Sequence, residues 1–170
     1  MEHRLIERMI TVIRRVLEQA VQTGSIDPYF VDTAVDFIRV YADLTHHGKE
    51  EDILFRDLAG KDLSDKDLRV MNELIEEHAF GRETAKSLVA ANSRYRNGDT
   101  AALAEVTALL RTLAEFYPKH IEKEDKVFFP ASRVYLSERE EQAMLAEFWE
   151  FDRKMIHKKY GNVVENLERQ

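Results

Sequence analysis

Two histidine–glutamate pairs, His47 with Glu51 and His120 with Glu124, share one spacing and similar flanks. Each is followed by an acidic residue and then an aromatic: Asp52 and Phe55 after the first, Asp125 and Phe128 after the second. Residues four apart on an α-helix lie on one face, about one turn apart. Each pair can therefore aim an imidazole nitrogen and a carboxylate oxygen at one point. Two facing helices of this kind supply two nitrogens and two carboxylates, the beginning of a two-metal site. His46 also stands four residues before Glu50, but its expected face carries Asp36, Arg39 and Asp43. That company predicts a solvated position for His46, with at most a supporting role beside the site.

The elements that must position these groups are helices. Gly and Pro are scarce, and turn chemistry is dense only around Thr23–Pro28, Ala59–Asp67, Asn97–Asp99 and Phe129–Glu140. Ser64 with Asp67 and Ser137 with Glu140 have the spacing of capping boxes. Five helices are predicted, near residues 2–23, 28–57, 65–97, 100–128 and 138–168. The first four keep a 3–4 apolar spacing: His3, Ile6, Ile10, Ile13 in the first; Val40, Leu44, His47, Glu51 in the second. Met71, Ile75, His78 and Arg82 continue it in the third, and Leu113, Tyr117, His120, Glu124 and Val127 in the fourth.

In every one of these helices a histidine takes a place where an apolar residue belongs. An unpaired buried imidazole costs roughly 1–3 kcal/mol of desolvation, so four of them with two carboxylates need a compensating partner. A metal centre is such a partner. The heights agree with this. At ~1.5 Å per residue, His3, His47, His78 and His120 each lie on the order of 30 Å from the far end of their helix. If short turns make the helices alternate up-down-up-down, all four meet at one level. The expected fold is all-α: an up-down-up-down four-helix bundle over 2–128 with an additional C-terminal helix over 138–168, one domain spanning 1–170. The fifth helix carries its own stripe, Leu145, Phe148, Trp149, Met155, Ile156, Tyr160, Val163 and Val164, to pack on the bundle or cover a homodimer contact. His157 lies outside the repeat.

Composition narrows the class. Lys plus Arg number 25 against 32 Asp plus Glu, a formal net charge of −7, which argues against a nucleic-acid surface. The chain has no cysteine, so thiolate metal sites, iron–sulfur clusters and a thiol nucleophile are excluded. No apolar run approaches the ~20 residues of a membrane span, and Glu2-His3-Arg4 is unlike a signal peptide. A cytoplasmic protein, off the membrane, is expected.

Imidazole and carboxylate without thiolate suit iron, manganese or zinc. No histidine has a glutamate three residues before it, which disfavours the Glu-x-x-His di-iron class. The order found is His, then His-x-x-x-Glu, then His, then His-x-x-x-Glu. On Glu2-His3, His47-Gly-Lys-Glu-Glu51-Asp-Ile-Leu-Phe55, Glu77-His78 and His120-Ile-Glu-Lys-Glu124-Asp-Lys-Val-Phe-Phe-Pro130, the chain resembles the hemerythrin-like family, the HHE cation-binding domains. The resemblance spans helices one to four. It implies His3, His47, His78 and His120 as terminal metal ligands, with Glu51 and Glu124 bridging two iron ions that an oxo or hydroxo group also links. It implies as function the binding of O2 or a related small ligand for oxygen or iron sensing or protection. The alternative is a di-iron enzyme that reduces nitric oxide or decomposes peroxide. Hemerythrin itself has His-x-x-x-His on its third helix, where this chain has His78 followed by Arg82. One histidine is therefore expected to be missing, leaving a coordination position open.

Overall fold

The turns form where the turn residues stand. Gly24 and Gly98 adopt φ of 68° and 98°, the left-handed region that glycine enters without steric cost. Asp27 caps the backbone N–H of Tyr29 ahead of Pro28, and Ser64 Oγ accepts the N–H of Asp67. Ser137 and Glu140 cap one another reciprocally: the Ser137 N–H donates to Glu140 Oε2 at 2.8 Å, and the Glu140 N–H to Ser137 Oγ at 3.4 Å.

The computed structural model describes residues 2–168, and between these turns it contains five long helical elements. They are α1 (Glu2–Thr23), α2 (28–59), α3 (Asp65–Arg96), α4 (102–132) and α5 (Glu138–Glu168), with a 3₁₀ turn at Arg133–Tyr135 before α5. No strand occurs among the described residues. The first four form the bundle: α1 packs on α2 and α4, and α3 on α2 and α4. α5 lies against the middle of α2. Its Met144 and Met155 are buried, while Leu145, Trp149 and Val164 of the expected stripe are exposed. The side chains of Ile156, Tyr160 and Val163 lie outside the described residues. No helix among those described is long and apolar enough to cross a membrane.

Inside α1 the buried residues are His3, Ile6, Ile10, Ile13, Leu17 and Ala20, the 3–4 pattern expected. α2 departs from it. Its buried face runs Ile38, Ala42, His46, Glu50, Leu54, Leu58, a strict four-residue repeat, while Leu44 is exposed and Glu51 half-buried. In an ordinary α-helix each four-residue step drifts by about 40° and would carry such a row off the core. α2 cancels that drift by widening into π-helix over Ile38–His47 and again over Glu50–Phe55. α4 does the same over Glu124–Phe128, which buries Phe128 where the α-helical period had placed Val127. On α3 the inner row is Leu74, His78, Gly81, Ala85 and Leu88, leaving Ile75, Arg82 and Val89 on the flank.

Pro118 lies inside α4, which runs uninterrupted through it from Ala102 to Lys123. Proline removes the bond to the carbonyl four residues back. That carbonyl, Ala114 O, accepts instead from Arg14 Nη2 of α1 at 2.8 Å. The lost helical bond thus becomes a tie between two helices.

Candidate metal centre

Two groups of buried ligand-type atoms meet at one end of the bundle. His3, His46, Glu50 and Glu124 form one, and His47, His78 and His120 the other; within each, the ligand atoms lie within 4.8 Å of one another. The two groups adjoin. His78 Nε2 is 3.4 Å from Glu50 Oε2 and 3.7 Å from Glu124 Oε1, and His120 Nε2 is 3.1 Å from Glu124 Oε1. On the other side His3 Nε2 is 3.1 Å from Glu124 Oε2, and His46 Nε2 is 3.7 Å from Glu50 Oε1. The two glutamates therefore stand between five imidazoles.

The sequence reading placed six residues here, and the structure brings five of them together: His3, His47, His78, His120 and Glu124. Glu51 stands in neither group. Its Oε1 accepts from His78 Nδ1 at 2.6 Å and from Arg82 Nη2 at 2.7 Å, on the outer side of the imidazole. The carboxylate at the centre is Glu50, and its partner is His46, which is buried rather than solvated. Both corrections have one cause. The four-residue repeat of the π-helical α2 keeps residues 46 and 50 on the inner face, where a 3.6-residue period places 47 and 51. Arg82 is also relocated: it is exposed and paired with Asp43 and Glu51, so it takes no position from a ligand. His157 is exposed and belongs to neither group.

A sequence signal for this register existed. His46-x-x-Lys49-Glu50 matches His120-x-x-Lys123-Glu124, and Phe55 then aligns with Phe129, as many identities as the His47–Glu51 frame offers. The structure repeats it contact by contact. Glu2 accepts from His46 Nδ1 (3.0 Å) and Lys49 (2.5 Å), as Glu77 accepts from His120 Nδ1 (2.8 Å) and Lys123 (2.6 Å). Glu51 accepts from His78 Nδ1 as Asp125 accepts from His3 Nδ1 (2.9 Å). Phe55 stacks on His78 and Phe129 on His3, both with ring centroids 5.8 Å apart. His47, with Asp43 at 3.4 Å from its Nδ1, is the imidazole without a counterpart.

Four of the five imidazoles thus have a carboxylate hydrogen-bonded at Nδ1, while Asp43 lies near His47 Nδ1 without bonding it. A carboxylate at Nδ1 favours the ring proton there and turns Nε2 inward; the Nε2 atoms of His47, His78 and His120 have no partner, and those of His3 and His46 share one hydrogen bond of 2.8 Å. Among the described residues, the buried side-chain polar atoms without a hydrogen-bond partner belong, apart from Asn92 Oδ1, to His47, Glu50, His78, His120 and Glu124. Leaving such atoms unpaired costs about 1–3 kcal/mol each. The donor set, all imidazole and carboxylate, suits hard to borderline metals. The residues fit a metal, and the fit is to their inward-facing atoms.

Without a metal, protons serve as the cations. Burial opposes charge on His46, yet the carboxylates of Glu50, Glu124 and Glu2 prevail and raise it to about 10. Burial likewise opposes His120, which Glu124 and Glu77 raise to about 9. His47 goes the other way: burial, and then the neighbouring His78 and His120, hold it well below the usual histidine range. Burial, reinforced by Glu124, pushes Glu50 up despite His46. It also works against Glu124, but the close imidazoles of His120, His3, His46 and His78 keep that carboxyl well below its ordinary value.

A helical bundle holding buried clusters of histidine and glutamate is the architecture of a metal-binding protein. Residues 1–132 match the hemerythrin HHE cation-binding domain, and the chain belongs to that family. No curated protein and no solved structure matches it.

Proposed function

We propose that the chain is a carboxylate-bridged di-iron protein that binds O2 or a related small ligand for sensing or protection. In this reading His3 and His46 would hold one ion and His47, His78 and His120 the other, with Glu50 and Glu124 between the two groups. The observation that carries it is the convergence of four imidazoles, each backed by a carboxylate, on two glutamates, with His47 stacked beside His78. Iron bound there supplies one-electron chemistry with O2 or a similar ligand.

The chain's own residues do the rest. Asp125, Glu2, Asp43, Glu51 and Glu77 orient the rings and raise their basicity. Lys49, Arg82 and Lys123 hold those carboxylates in turn. Phe55, Phe116 and Phe129 stack on His78, His120 and His3 and exclude water from their faces. The ion held by two histidines has one imidazole fewer than its neighbour, and its side of the centre opens on a cavity lined by His3, His46 and Glu50. A small ligand would reach the centre there.

Metal analysis with absorption spectra taken without and with O2 tests the reading. Two irons per chain and visible absorption that changes on admitting O2 are expected. A protein that takes up only zinc, with no such change, overturns it. Peroxide or nitric oxide turnover well above that of free iron would move the assignment to an enzyme.

A further inference from the structure

The cavity beside His3 and His46 has a volume of about 820 Å³. A diatomic molecule needs on the order of 30 Å³, the share of one water in the liquid. Cavities of a few hundred to a thousand Å³, apolar with a few convergent polar groups, are the size and character of organic ligand sites. This one is walled by Leu54, Phe129, Leu145, Phe148 and Trp149, and its polar groups gather at the inner end around His3, His46 and Glu50.

Much of that wall lies outside the family's domain. Leu145, Phe148, Trp149 and Asp152 belong to α5, beyond the residues that match the HHE domain. The two halves of the centre show what α5 adds. Lys123 pairs with Glu77 and with Glu73 of α3 and stays partly exposed. Its counterpart Lys49 pairs with Glu2 and, at 2.7 Å, with Asp152 of α5, and is buried. α5 is further seated by Arg56 on Glu147, Lys61 on Glu140 and Lys159 on Asp36. The Phe151 ring closes on Gly48, where a Cβ would meet Cζ at 2.9 Å.

Charge selects the occupant. Glu2, Glu50, Asp125 and Asp152 line the cavity against Lys49, which pairs with Glu2 and Asp152, and against His46 and His3, whose Nδ1 atoms engage Glu2 and Asp125. The carboxylates outnumber Lys49 and His46, so an anionic molecule is disfavoured, whereas the Glu50 oxygens, which have no hydrogen-bond partner, can accept from a donor. We infer that this cavity binds a neutral organic molecule with an aromatic or alicyclic body and one hydrogen-bond-donating end. The apolar wall stands with or without a metal, while the Glu50 acceptor is open in the metal-free protein, so the proposal does not rest on the di-iron reading.

Two fluorescent probes with the same aromatic body test it: neutral N-phenyl-1-naphthylamine and its anionic relative 1-anilinonaphthalene-8-sulfonate. Both are titrated into metal-free and zinc-loaded protein, with energy transfer from Trp149, the chain's one tryptophan, as readout. In the metal-free protein one neutral probe per chain is expected, with the sulfonate at least tenfold weaker; zinc, which takes the Glu50 acceptor, should narrow that preference. Leu145→Gln, at a half-exposed wall position, should weaken the neutral probe at least threefold. Val134→Gln, exposed and away from the cavity, should leave it unchanged. Several probes per chain, equal affinity for the sulfonate in the metal-free protein, or no effect of Leu145→Gln overturns the proposal. Binding that vanishes as rising protein concentration forms dimers would assign the mouth to a second copy and overturn it equally.

Discussion

The centre turns on two adjacent carboxylates with different duties. Glu50 reaches inward and its oxygens have no hydrogen-bond partner, whereas Glu51 reaches outward to His78 and Arg82. On the di-iron proposal, Glu50→Ala should therefore reduce bound metal from two ions per chain to one or none by elemental analysis. Glu51→Ala should keep two ions and lower affinity by about 10–100-fold, the usual effect of removing a group that orients a ligating histidine. The reverse ranking would return the bridge to Glu51. Protons compete with metal at the same atoms. With His46 at about 10 and His120 at about 9 in the metal-free protein, both are protonated at neutral pH. Loading must displace at least two protons, so a titration between pH 6.5 and 9 should show affinity rising about a hundredfold per unit. Stability of the metal-free protein runs oppositely. Raised histidine values stabilise it fully below the unfolded value of 6.5, and that contribution is lost as pH climbs through 9 and 10. Metal affinity independent of pH over this range would count against the proton-filled site.

Helix type, rather than helix position, decides which residues face inward. The π-helical stretches of α2 and α4 fall at the two metal-binding motifs, and each moves the inner face by one residue from the α-helical expectation. α4 carries a second local departure, Pro118, whose freed Ala114 carbonyl is taken by Arg14. This contact can be isolated by a double-mutant cycle in chemical denaturation. Arg14→Ala should cost about 1 kcal/mol with Pro118 in place, because it strands an acceptor. In a Pro118→Ala background the helix can pair Ala114 itself, and the cost of Arg14→Ala should fall below about 0.3 kcal/mol. Equal costs in the two backgrounds would show the contact to be incidental.

The whole molecule places a cluster of buried charges in the lower half of its core and relies on a cation to balance them. Ligands that bind only the folded state stabilise it by mass action, about 2.7 kcal/mol for one site at a hundredfold excess over Kd. For 170 residues each kcal/mol moves the melting point by about 2–4 °C. Removing metal with a chelator should thus lower the Tm by about 5–11 °C at neutral pH, measured by calorimetry. An unchanged Tm would mean that the clusters need no metal to be stable.

The amino-acid sequence by itself determined the helices, the bundle, and the level at which the histidines meet. Those follow from local facts: turn residues, caps, apolar spacing and the rise per residue. It also placed His3, His78, His120 and Glu124 on inner faces, because α1 and most of α4 keep the ordinary α-helical period and His78 is buried on either reading of α3. Only the tertiary structure decided between the doublets His46-His47 and Glu50-Glu51. A widened helix differs from an ordinary one by a fraction of a residue per turn, a preference set by packing and by the buried site rather than by composition. The same holds for Arg82 and for α5. Whether a residue lines a core, grips a second carboxylate or walls a cavity depends on what lies across from it, and that neighbour is distant in sequence: Asp43 for Arg82, and Lys49 for Asp152.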